Sequence, residues 1–269
     1  MHRILNVVSV CSLAVLAACG GSSGNAALSR SFNYGTSQAP STSEQSAASS
    51  AQTSLSQTAS FSSAPDGTKG QAIIGLSEVI GAALGSNGVI AMQPQYTGAG
   101  TALSLAATAS SCTTVVGNTV TFANCTFIEA GITGTLNGSI SVSAAGAITW
   151  NISGNVSGSN ATSGYTYNIN LHEAGNITVT STKVTGNATS EISGTFSGQG
   201  QNVSFGFATA AVIDLTYQTT PTYCVTAGTI EVKRVWTQKP SGATGAQLAD
   251  LGVKLTWSGC NQFTVAHSQ

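Results

Sequence analysis

Few side chains in this sequence are of the types that do chemistry. His172 and Glu173 stand side by side, and an imidazole next to a carboxylate could exchange protons in general acid–base work. They adjoin "EAGN", which reads as a turn, so the expectation is a solvated strand end supplying half of a pair at most. A Gly-x-Ser-x-Gly pattern, which presents a nucleophilic serine in many hydrolases, occurs at Gly20, Ser22 and Gly24. It lacks the flanking strand and helix that make a nucleophile elbow, and it reads as compositional. The chain has no G-x-x-x-x-G-K-[ST] phosphate loop, and Gly98 with Gly100 lacks the rest of a dinucleotide fingerprint. From Ile132 to Tyr217 only Glu173, Lys183, Glu191 and Asp214 carry charge, too sparsely for a carboxylate pair or a metal cluster. The expectation is a non-enzymatic protein, with no catalytic residue, metal or cofactor.

Cysteines carry more information. Cys112 and Cys125 flank "TTVVGNTVTFAN", whose Gly117-Asn118 centre suggests a hairpin that sets the two opposite or diagonal to one another. Cys224 and Cys260 would join the last two strand regions. Four cysteines allow three pairings; in an oxidising compartment two disulfides between sequence neighbours are the preferred reading. Zinc is disfavoured, because there is no C-x-x-C and only His172 and His267 follow the first residues.

The remaining informative cysteine is Cys19. Met1-His2-Arg3 is short and positive, and Ile4 to Leu16 is apolar apart from Asn6, Ser9 and Ser12. This reads as a secretory signal, too short to span a bilayer stably. Its end, Leu16-Ala17-Ala18-Cys19, resembles the lipobox of bacterial lipoprotein precursors. The resemblance implies a signal peptide over 1–18, cleavage before Cys19, and acylation of Cys19 as a lipid anchor. The next residue is Gly20 instead of the Asp that retains some lipoproteins at the inner membrane, which by the same resemblance favours the outer membrane of a bacterial cell envelope.

Residues 19–69 are dominated by Ser, Ala, Gln, Thr and Gly, without periodicity that could bury a core. They read as a disordered tether; a coil of some fifty residues has ends on the order of 40 Å apart. The alternative is that the part around Phe32 and Tyr34 packs on the domain. Gln71 to Leu84 places Ile73, Leu76, Ile80, Ala83 and Leu84 near one side at helical spacing, with Gly85 as terminator, although a pair of buried strands fits as well.

The elements that must position everything else lie beyond Cys112, where the pattern becomes strict alternation. From Ile132 to Val142 the even positions hold Ile, Gly, Leu, Gly, Ile and Val and the odd ones Thr, Asn and Ser. Asn137-Gly138 invites a tight hairpin. A turn there would throw Ile140 onto the opposite face, so one long strand is expected. The same parity runs through 148–157, 165–172, 184–196 and 203–217, with turn-like pieces at "SAAGA", "SNATSG" and "EAGN". The expected fold is mainly β: a large curved antiparallel sheet or incomplete barrel of long amphipathic strands over residues 70–269, with one short N-terminal helix covering its concave apolar face.

A chain with 6 % charged residues and a net charge of -1 has no basic footprint for nucleic acid. Sequons such as those at Asn124, Asn151 and Asn187 follow from the Asn/Ser/Thr-rich face. The expected partners are the membrane, through the anchor, and a lipid, glycan or envelope protein. The leading functional expectation is a structural or interaction module carrying lipid or another apolar ligand; the alternative is a membrane-inserted β-barrel or pore component.

Overall fold

The computed structural model describes residues 23–42, 44–45, 48–49, 112–129, 132–143, 145–160, 165–198, 200–221, 224–240, 248–260 and 262–269. Cys19 and the stretch 71–84 lie outside the described residues.

Ten strands form one antiparallel sheet in chain order: β1 (Thr113–Val116), β2 (Thr119–Glu129), β3 (Ile132–Val142), β4 (Ala147–Asn160), β5 (Tyr165–Val179), β6 (Lys183–Gly198), β7 (Gln201–Gln218), β8 (Cys224–Gln238), β9 (Leu251–Gly259) and β10 (Gln262–His267). The sheet curls into a ring-like shape without closing as a barrel, β1 and β10 being its two ends. Strands of 14 to 18 residues dominate the middle, β4 to β8, and a sheet this long coils strongly under its own twist.

Parity identified β3 correctly as one strand running through Asn137-Gly138. Gly138 serves a close approach instead of a turn: at its φ of 124° a Cβ would lie 2.1 Å from the Asn151 carbonyl oxygen on β4. Gly117-Asn118, in contrast, is the two-residue link of the β1–β2 hairpin, with Val116 paired to Thr119. "EAGN" is not a turn. β5 runs straight through it, and the chain reverses only at 180–182, between β5 and β6. Gly175 is required there because the indole of Trp150 fills the space where its Cβ would be.

The inward positions form one apolar core, including Phe122, Ile140, Ile148, Trp150, Ile152, Ile169, Ile177, Ile192, Phe205, Ile213, Leu215, Ile230, Val253, Leu255 and Trp257. A strand's period of two sends the intervening Thr, Asn and Ser outward.

Where residues 23–49 are described, they pack on the sheet, as the alternative for Phe32 and Tyr34 had it, and do not run free as a tether. Helix α1 (Ser23–Ser29) lies on the outer face of β6, β7 and β8, where Ala27 packs with Ala208 and Ala210. Short alanines on both elements let the helix approach the sheet closely. The chain then crosses β9, with Phe32 and Tyr34 over Gly252, and lies antiparallel along the free edge of β10 through the Tyr34–Ser268 and Gln38–Val265 bridges. Backbone groups of an edge strand that would otherwise pair with another chain are thereby occupied. Helical residues follow at Thr42, Glu44, Gln45, Ala48 and Ser49. Ser41 caps them, its hydroxyl and amide both donating to the Glu44 carboxylate at 2.7 and 2.6 Å. Ala48 belongs to the inward core, whereas α1 lies on the outer face and not, as expected of the N-terminal helix, on the concave one.

Candidate functional site

Because the strand pairs are in register, inward positions line up in rows around the ring. One row runs Phe122, Gly138, Ile152, Glu173, Ser190, Thr209, Arg234, Leu251 from β2 to β9. Its four consecutive members on β5 to β8 are polar, and Glu173, Thr209 and Arg234 are only 7, 8 and 4 % exposed. The neighbouring row on one side is small and apolar, with Gly175, Ala188, Ala211 and Val232. The row on the other side is large, with Ile192, Phe207 and Trp236. A polar belt therefore crosses an otherwise apolar concave wall.

This placement overturns the reading of His172-Glu173 as a solvated strand end. The two stand in mid-strand on opposite faces. His172 faces outward, its Nε2 3.1 Å from the Asn151 Oδ1, while Glu173 is buried inside, so they cannot act on one proton. Asp214 is exposed on the outer face and pairs with Lys183 at 2.9 Å.

Arg234 is the principal charge of the belt. Its Nη2 donates to the Ala249 carbonyl at 3.0 Å, and its guanidinium lies 5.2 Å from the centre of the Trp236 ring. Burial pushes its pKa down to about 10, opposed by the nearby Asp250 carboxylate. Asp250 in turn accepts from the Trp236 backbone amide at 3.0 Å and pairs with Arg30 at 3.4 Å. The indole nitrogens of Trp150, Trp236 and Trp257 and the Ser190 hydroxyl are buried without hydrogen-bond partners. Phe207 meets Trp236 edge-on at 5.6 Å, and Trp257 stacks on Phe263 at 5.3 Å. The inward wall thus carries aromatic surface with buried hydrogen-bond donors set into it.

The outer face holds a second polar cluster, which fixes the N-terminal strap. The Gly24 amide donates to the Glu191 carboxylate. The buried Lys233 ammonium donates to the Leu28 carbonyl at the end of α1 (3.1 Å) and pairs with Glu231 (3.3 Å). Glu231 also accepts from the Tyr34 hydroxyl at 2.7 Å. Burial, together with that hydrogen bond and the Glu231 charge, holds the Tyr34 phenol well above its usual pKa. On the inward side of β10, by contrast, His267 lies 3.3 Å from the Glu44 carboxylate.

The cysteines brought to bonding distance are sequence neighbours: Cys112 with Cys125 and Cys224 with Cys260, their Cα atoms 5.1 and 5.4 Å apart. The first pair spans the β1–β2 hairpin beside a bulge at Asn124, where φ is 51°. The second ties the start of β8 to the β9–β10 turn. Among the described residues no group of three His, Cys, Asp or Glu side chains could hold a metal, and no helix is long and apolar enough to cross a membrane.

The belt escaped sequence reading because Ser190 and Thr209 are ordinary residues for such strands; only the inward parity of Glu173 and Arg234 marks it. No family model, curated protein or solved structure matches the chain.

Proposed function

We propose that the protein is a lipid-anchored, non-enzymatic module of a bacterial cell envelope, attached through Cys19 to the outer membrane, whose concave face carries a lipid or another apolar ligand. The observation that carries the ligand reading is the set of buried, unpartnered donors on that face, Trp150, Trp236 and Trp257 Nε1 with Ser190 Oγ. A buried donor left unsatisfied costs about 1–3 kcal/mol, and ester or carboxyl oxygens on an acyl chain would recover part of that cost while the chain itself meets Phe207, Ile192 and Trp236. The anchor reading rests on the lipobox-like Leu16-Ala17-Ala18-Cys19. A membrane-inserted barrel is disfavoured by the polarity of the wall, since a spanning barrel turns its apolar residues outward and here they turn inward.

The test is native mass spectrometry of the chain carrying Cys19→Ala, exported to an oxidising periplasm and purified without detergent. A soluble species with additional small-molecule mass, extractable by organic solvent, is expected. A soluble but empty protein would remove the ligand reading and leave a structural or interaction module. Material extracted only by detergent would overturn both in favour of the barrel.

A further inference from the structure

Only Gly20, Gly21 and Ser22 separate Cys19 from the first residue of α1. That helix is fixed to the sheet by its Ala27 contact, by the Gly24–Glu191 hydrogen bond and by Lys233 at its C-terminal carbonyl. A chain advances at most about 3.6 Å per residue, so the Cα of Cys19 lies within about 14 Å of that of Ser23. A tether of fifty residues would have allowed several times that distance.

From this we infer that the domain lies against the bilayer, with the outer face of β6 and β7 beside α1 turned toward the lipid headgroups; the inference rests on the reading of Cys19 as an acylated anchor. The chemistry of that face suits the position. Around α1 it presents Asn187, Ser193 and Thr195, and its exposed carboxylate, Asp214, is paired with Lys183. Val212, the cross-strand partner of Asn187, is 37 % exposed, one of two large apolar side chains that stand out among the described residues. The other, Val116, is at the β1–β2 turn, five strands from β6. A face of amides and hydroxyls with one protruding valine meets headgroups without burying an unpaired charge.

The full acylated chain, reconstituted into phosphatidylethanolamine/phosphatidylglycerol vesicles that contain a headgroup-linked acceptor dye, tests this. An azide-bearing residue is placed at exposed Asn187 on β6 or at exposed Thr121 on β2, each then labelled with a donor dye. Energy transfer at 187 is expected to exceed that at 121 at least twofold, and twenty Gly/Ser residues inserted between Gly21 and Ser22 should abolish the difference. Equal transfer at both positions without the insertion would overturn the orientation while leaving the anchor intact. An intact mass without acyl groups, with no vesicle association, would instead remove the anchor reading and this inference with it.

Discussion

Trp150 and Gly175 are direct cross-strand partners, and the indole of the first occupies the place of the missing side chain of the second: a Cβ on Gly175 would fall 2.1 Å from the Trp150 Cζ2. Gly175→Ala is therefore expected to destabilise the fold by about 1–3 kcal/mol, the usual cost of overpacking. In a Trp150→Leu background the same change should cost much less. Urea unfolding of the four proteins measures the coupling, and equal costs in both backgrounds would refute the contact as the cause.

The strap should give the protein a stability limit at alkaline pH. Tyr34 keeps its proton in the folded state, through burial and the Glu231 carboxylate, beyond the value of a free phenol. In the unfolded chain it releases that proton near pH 10. Its contribution is therefore complete below about pH 10 and declines as pH rises further, because only the unfolded state gains from ionisation. Tyr34→Phe is expected to flatten the fall in unfolding midpoint between pH 9 and 11, although Tyr217, also raised by burial, leaves a residual slope.

Lys233 joins α1 to the sheet from beneath. Lys233→Ala removes its bonds to Leu28 and Glu231 and should cost about 1–2 kcal/mol, with amide exchange accelerated first at residues 23–29. Exchange unchanged in α1 would show that the alanine contacts alone hold the helix.

The two cysteine pairs should differ in their effect on stability. The Cys224–Cys260 link closes the longer loop, a separation of 36 against 13. On chain-entropy grounds, Cys224→Ala with Cys260→Ala is expected to cost about 1 kcal/mol more than Cys112→Ala with Cys125→Ala. Calorimetry of the two double variants measures that difference.

The sheet was legible in the sequence because its wet face is made almost wholly of Thr, Asn and Ser, so a period of two survives for strand after strand. The pattern failed at "EAGN", where two features coincided: Gly175 is small to admit a ring from β4, and Glu173 places a charge at an inward position. Both imitate a turn. The strap was illegible for a different reason. Its attachment depends on Ala27, Tyr34, Gln38 and Glu44, which touch residues some two hundred positions away, and a Ser/Ala-rich stretch shows no local periodicity when its partners are that remote. Phe32 and Tyr34 were the only residues in it to suggest burial, and both do lie on the sheet.

Every strand of the meander pairs with its immediate successor, so the sheet can grow by hairpins as soon as each segment is available. The strap cannot. It is synthesised before any strand, yet its partners are Glu231, Lys233, Val265 and His267, near the far end of the chain. Closing loops of that length is slow and gains nothing until β8 to β10 have formed. The edge of β10 therefore stays open to strand pairing until the strap has docked on it, and a segment synthesised before every strand is among the last to take its place in the fold.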